Sequence, residues 1–92
     1  MIMEELEKRY NAEERQRNSD YFNSQILPNL KKVYVHGVIN KDSEQNRFKH
    51  NGNIVDYYPR RKRLCHINTN QWFTIDEDEF IISRIIFLLN RK

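Results

Sequence analysis

The stretch Arg47-Phe48-Lys49-His50-Asn51-Gly52-Asn53-Ile54-Val55-Asp56-Tyr57-Tyr58 decides the fold class. Asn51-Gly52 stands between two alternating segments, and both residue types tolerate φ > 0, as a two-residue hairpin turn requires. That turn sets the register: His50 faces Asn53, Lys49 faces Ile54, Phe48 faces Val55, and Arg47 faces Asp56. Because neighbouring side chains point to opposite faces, Phe48, Val55 and Tyr57 share one side, which is expected to face the core. Arg47, Lys49, Ile54, Asp56 and Tyr58 share the other, with Arg47 and Asp56 forming a cross-strand ion pair.

Working outward, Lys32 to Ile39 alternates as a strand, with Val33, Val35 and Ile39 on one side, and Lys41 to Gln45 is polar and loop-like. Downstream, Pro59 closes the hairpin and Arg60-Arg61-Lys62 turns the chain into a segment from Arg63 to Ile67. A polar turn at Asn68-Thr69-Asn70 then leads into Gln71-Trp72-Phe73-Thr74-Ile75, where Trp72 is assigned to the core and, if exposed, to an interface.

Helices are expected at both ends. Met3 to about Arg17 carries the acid-first i,i+4 pairs Glu4–Lys8, Glu5–Arg9 and Glu13–Arg17 but only a thin apolar stripe. Residues 1–18 therefore read as a charged, protruding helix. It continues or restarts at Ser19 with Phe22, Ile26 and Leu30 on one face, and Pro28 is expected to end it or force a turn. At the other end, Asp76 reads as an N-cap with Glu79 completing a capping box and Ile75 stapled onto Phe80. The helix that follows, to about Asn90, is apolar on nearly every side. The predicted architecture is a single α+β domain over residues 1–92: an N-terminal helix, a three- to four-stranded antiparallel sheet, and a hydrophobic C-terminal helix packed on one sheet face. A helix apolar all round needs cover on more than one side, so Ile82, Ile86, Phe87 and Leu89 are the candidate face for a homodimer or partner.

Composition narrows the function classes. Ninety-two residues with 38% hydrophobic and 32% charged content support one modest core. A lone cysteine, Cys65, rules out an internal disulfide. Met1-Ile2-Met3-Glu4-Glu5 lacks the apolar run of a signal peptide, and Phe80-Ile81-Ile82 and Ile85 to Leu89 fall well short of the about 20 residues a bilayer span needs. A cytoplasmic protein of a bacterial host, not associated with membrane, is expected. Two glycines exclude a nucleotide-cradling loop, and the abundance of asparagine and isoleucine suggests an AT-rich genome. The net charge of +3 is unevenly spread: residues 1–30 sum to −2, residues 31–66 to +6, and residues 67–92 to −1.

No pattern of catalytic or cofactor-binding residues emerges. His36, His50 and His66 lack short-spaced partners that would define a metal site. Cys65 and His66 are strand neighbours facing opposite ways and cannot act as a nucleophile–base pair. Asp76-Glu77-Asp78-Glu79 is accounted for by helix capping. The expectation is a non-enzyme without metal or cofactor. The run Arg60-Arg61-Lys62-Arg63, with Arg47, Lys49 and Tyr58 added from the hairpin, is the candidate binding site, since cations interleaved with aromatics suit a partner surface or a nucleic-acid backbone and its bases. The bland reading of the same run is a solvated turn. The helix–strands–helix order is also that of double-stranded RNA-binding domains, but the acids at Asp76 to Glu79 stand where those domains need lysines.

From Phe48-Lys49-His50-Asn51-Gly52-Asn53-Ile54-Val55-Asp56-Tyr57-Tyr58-Pro59, through Arg63 to Trp72, the chain resembles a loose class of short open reading frames of bacteriophages and integrated elements that share a hydrophobic-Asp-Tyr-Tyr-Pro strand end. The likeness covers roughly residues 46–75. It implies a small inhibitor of host defence, anti-CRISPR proteins among them, that binds a host protein or ribonucleoprotein and brings no catalytic residue. Two other readings stand beside it: a stand-alone RNA- or DNA-binding regulator using the 60–63 loop, and a virion structural or assembly protein joined through the last helix.

Overall fold

A computed structural model describes residues 10–92. The expected helix over Met3 to Arg9 lies outside the described residues.

Helix α1 spans Ala12–Tyr21 and starts at a capping box: Asn11 Oδ1 accepts from the Glu14 amide at 2.8 Å, while Glu14 Oε1 accepts from the Asn11 amide at 3.0 Å. The helix neither stops nor restarts at Ser19. It widens into a π-helical turn over Phe22–Ile26 and continues as α2, Leu27–Leu30. Pro28 supplies the reason. Its ring would collide with the Ser24 carbonyl in a regular α-helix, and it has no N–H to donate. In the wider turn the Leu27 amide bonds to the Phe22 carbonyl instead, so the chain passes the proline without breaking. Phe22, Ile26 and Leu30 stay in line and are all buried.

Five strands follow, one more than the three to four expected: β1 Val35–Asn40, β2 Gln45–His50, β3 Asn53–Tyr58, β4 Arg63–His66 and β5 Gln71–Thr74. They form an antiparallel meander in chain order. The two last strands have four residues each, too short to declare themselves by alternation, and form because each pairs with its predecessor through a tight turn. The β2–β3 register is the one the Asn-Gly turn demands, with Asn51 at φ 51° and Gly52 at φ 81°.

The last helix does not begin as read from sequence. A 3-10 turn, Asp78–Phe80, precedes α3, Ile81–Leu89, and no side chain caps either one. Phe80 is half-exposed and lies outside the core that takes in Ile75. The acids are engaged elsewhere: Asp76 Oδ1 accepts from the Tyr10 hydroxyl at 3.3 Å, and Asp78 pairs with Arg17 at 3.3 Å and Lys62 at 2.6 Å.

Phe22, Ile26 and Leu30 from the first helical segment, Phe48, Val55, Tyr57 and Leu64 from the sheet, and Ile81, Ile85, Leu88 and Leu89 from α3 form one core. Both helical segments thus pack on the sheet face that carries Phe48 and Val55. Asn53 locks the chain end to that face, its Nδ2 donating to the carbonyls of Leu89 at 3.1 Å and Arg91 at 2.8 Å. Its Oδ1 accepts from Nε2 of buried His66 at 3.0 Å, while the Thr69 hydroxyl lies 3.1 Å from His66 Nδ1. Among the described residues no helix is long and apolar enough to cross a membrane.

Candidate binding face: the uncovered side of the sheet

With both helical segments on one face of the sheet, the pairing decides which residues lie on the other. Val35 pairs with Lys49, Arg47 with Asp56, Asp56 with Cys65, Cys65 with Trp72, Tyr58 with Arg63, and Arg63 with Thr74. These residues line the side away from Phe48, Val55 and Leu64. The expected grouping of Arg47, Lys49, Ile54, Asp56 and Tyr58 is present as read.

At the middle of this face Asp56 is fully buried. Its carboxylate accepts from Arg47 Nε at 2.8 Å, Arg47 Nη2 at 2.9 Å and Gln45 Nε2 at 2.7 Å. A two-pronged guanidinium contact plus an amide is what lets a carboxylate lose its water without being left unpaired. Arg47 is thereby fixed against the sheet rather than free to sweep solvent.

Beside it lies an aromatic group. The sequence pattern assigns Trp72 to the core, yet the residue is 47% exposed. The Cys65↔Trp72 pairing puts it opposite in parity to Phe73, which pairs with core residue Leu64. Its ring stacks on Tyr58, centroids 5.7 Å apart and 30° between planes, and the Arg63 guanidinium carbon sits 4.8 Å from the indole centroid. Such a cation over an indole is held by the ring quadrupole. Burial, and then the Asp56 carboxylate, push the Tyr58 phenol and the Cys65 thiol upward, so both stay protonated at neutral pH. Val35, 68% exposed, extends the face toward β1.

The four cations read as one cluster are dispersed. Lys62, held at φ 54°, is buried, its ammonium bonded to Asp78 and to the Asp76 carbonyl at 2.9 Å. Arg60 pairs with Glu44 at 3.5 Å, and its carbonyl accepts from Asn18 Nδ2 at 3.1 Å. Arg61 is exposed in the turn. Arg63 opens β4 and belongs to the sheet face. Arg60 and Arg61 line a shallow groove with Arg15, Asn40, Asp42, Ser43 and Tyr58, so Tyr58 joins that groove to the aromatic group.

The other candidate face is smaller than expected. Leu89 is buried in the core and offers nothing to a partner, and Ile82 packs against the core from its edge. Ile86, 37% exposed, and Phe87, 60% exposed, remain outside.

The histidines stand apart. His36 Nε2 lies 2.8 Å from Asn46 Oδ1, His50 meets the Tyr34 ring, and His66 is bonded as described. Among the described residues no cluster of three or more His, Cys, Asp or Glu side chains could hold a metal ion.

Reading by local pattern missed Trp72 and Gln45. Carrying the hairpin parity through the Asn68-Thr69-Asn70 turn would have placed Trp72 with Arg63 and Cys65. Gln45 carried no signal, because its role depends on Asp56, eleven residues away. No protein-family model, curated protein or solved structure matches the chain.

Proposed function

We propose that this chain is a non-catalytic binding protein, a mobile-element-encoded inhibitor that docks on a host defence protein or ribonucleoprotein through the uncovered face of its sheet. The observation that carries the reading is Trp72, exposed on a face that no helix among the described residues covers and braced by Tyr58 and Arg63. Tryptophan, tyrosine and arginine are the side chains that dominate binding energy at interfaces, because each combines large apolar area with a polar handle. Held by one another and by the sheet, they lose little rotamer freedom on docking. The inhibitor role itself comes from the resemblance to short phage reading frames around Val55-Asp56-Tyr57-Tyr58-Pro59.

A virion-joint role rests on the last helix, yet four of that helix's apolar residues, Ile81, Ile85, Leu88 and Leu89, are spent on the chain's own core. The sheet face is the better candidate for contact.

Phage plating on bacteria carrying a CRISPR nuclease, with and without the expressed chain, tests the proposal. Expression is expected to raise plating efficiency, and Trp72→Ala and Arg63→Glu to abolish that rise while the far-ultraviolet circular dichroism stays unchanged. No rise on any of a panel of nuclease-based defences would overturn it.

A further inference from the structure

We infer that the uncovered sheet face takes a short run of single-stranded nucleic acid, with bases against Trp72 and Tyr58 and phosphates drawn to Arg63 and Lys49. The inference deepens the reading of this face as the docking platform and names what it grips, whether a free strand or the exposed RNA of a ribonucleoprotein.

Charge selects the ligand. Across all five strands there are three formal cations, Arg47, Lys49 and Arg63, and every one falls on the uncovered face. The strands contain one carboxylate, Asp56, which is buried and bound by Arg47. Among the described residues the face therefore presents two positive side chains without a carboxylate partner, Lys49 and Arg63, and no exposed negative one among its strand residues. An anionic partner gains from both and meets no repulsion within the sheet.

The aromatic pair selects among anions. Tyr58 on β3 and Trp72 on β5 offer π surface beside those cations, and every nucleobase has a flat face that stacks without regard to sequence. In a duplex those faces are already stacked on one another, so the arrangement suits a single strand. From Lys49 on β2 to Trp72 on β5 is three strand spacings, about 14 Å, a path long enough for a few nucleotides. At one end Tyr58 also borders a groove whose lining holds Arg15, Arg60 and Arg61 against one carboxylate, Asp42; Arg60 is paired with Glu44, so Arg15 and Arg61 are the cations that extend the path off the sheet.

Trp72 is the only tryptophan, so intrinsic fluorescence reports from the site itself. Titration of the full chain with short oligouridylate and oligothymidylate is expected to give saturable quenching. With two phosphates neutralised, affinity should fall about sevenfold between roughly 50 and 200 mM salt. By anisotropy of labelled oligonucleotide, Tyr58→Ala and Trp72→Ala should each weaken binding about tenfold or more. Trp72→Phe should retain most of it, and Lys31→Ala, which removes a charge on the helix side, should leave it unchanged.

Absence of both quenching and anisotropy change at low salt overturns the inference, as does equal affinity for a duplex or indifference to the Tyr58 and Trp72 changes. The two readings fail separately. Defence inhibition that depends on Trp72 without oligonucleotide binding means that the face grips protein, and the inference falls alone. Oligonucleotide binding through Trp72 without any effect on plating upholds the inference and removes the inhibitor role.

Discussion

Lys62 reaches from the turn after β3 to Asp78 ahead of α3, Nζ to Oδ1 2.6 Å, and so ties the middle of the chain to the start of its last helix. The lysine is buried while Asp78 keeps partial contact with solvent. That asymmetry makes the pair unequal to mutation. Asp78→Ala strands a buried ammonium with only the Asp76 carbonyl and is expected to cost about 3 kcal/mol. Lys62→Met keeps the stem packed and leaves Asp78 its Oδ2 contact with Arg17 while Oδ1 loses its partner, and should cost less, about 1–2 kcal/mol. Urea unfolding at neutral pH measures both, and equal losses would show that the pair is not the tie described.

Asp56 sets the geometry of the uncovered face. Asp56→Ala leaves Arg47 and Gln45 without their acceptor and should destabilise the chain by roughly 3–5 kcal/mol. In a double-mutant cycle with Arg47→Met, the coupling energy should exceed about 1.5 kcal/mol. A coupling near zero would mean that the guanidinium and carboxylate act independently.

His66 gives stability a pH dependence of known sign. Burial first, and then Arg91, lower its pKa below the ordinary value of 6.5. Below that ordinary value the unfolded chain takes up a proton that the folded chain resists, so stability falls as pH drops from 7 through 6.5 and stops falling on this account below the folded pKa. Thermal unfolding of the wild type should show the decline between about pH 7 and pH 5. His66→Gln should flatten it while lowering stability at pH 7, through the altered bond to Asn53. An unchanged slope would assign the pH dependence to other groups.

Phe87 and Ile86 are the apolar side chains that α3 leaves most exposed within its length, and a second copy of the chain would meet there. Light scattering behind a sizing column should give a mass that rises with concentration for the wild type and stays at the monomer for Phe87→Glu. A wild-type mass that is flat at the monomer value would remove the homodimer.

Gly52 lies at φ 81°, where an L side chain is strained. Gly52→Ala should therefore cost about 1 kcal/mol, with the β2–β3 cross-strand contacts retained in nuclear Overhauser spectra. A stabilised variant would mean that the turn is not of the left-handed type.

What could be read from the sequence alone was whatever depends on neighbours along the chain. Asn51-Gly52 dictated a turn, the turn dictated a register, and the register put Arg47 against Asp56 and sorted Phe48 from Lys49, because pairing in a two-residue hairpin leaves no freedom. The line of Phe22, Ile26 and Leu30 was equally local, and a proline within it altered the helix type without moving the buried residues. Tertiary structure decided the rest. Whether Lys62 belonged to a basic patch or to the interior depended on Asp78, sixteen positions on. The capping box expected from Asp76 and Glu79 did not form: Asp76 accepts instead from Tyr10, while the neighbouring Asp78 is held by Arg17 and Lys62 from distant parts of the chain. Trp72 is exposed for the same kind of reason. Strand alternation put it opposite Phe73, but its place relative to Phe48 follows only from the pairing of β5 with β4 and of β4 with β3, and the docking of both helical segments on the Phe48 side removes water from that face and leaves the Trp72 face open.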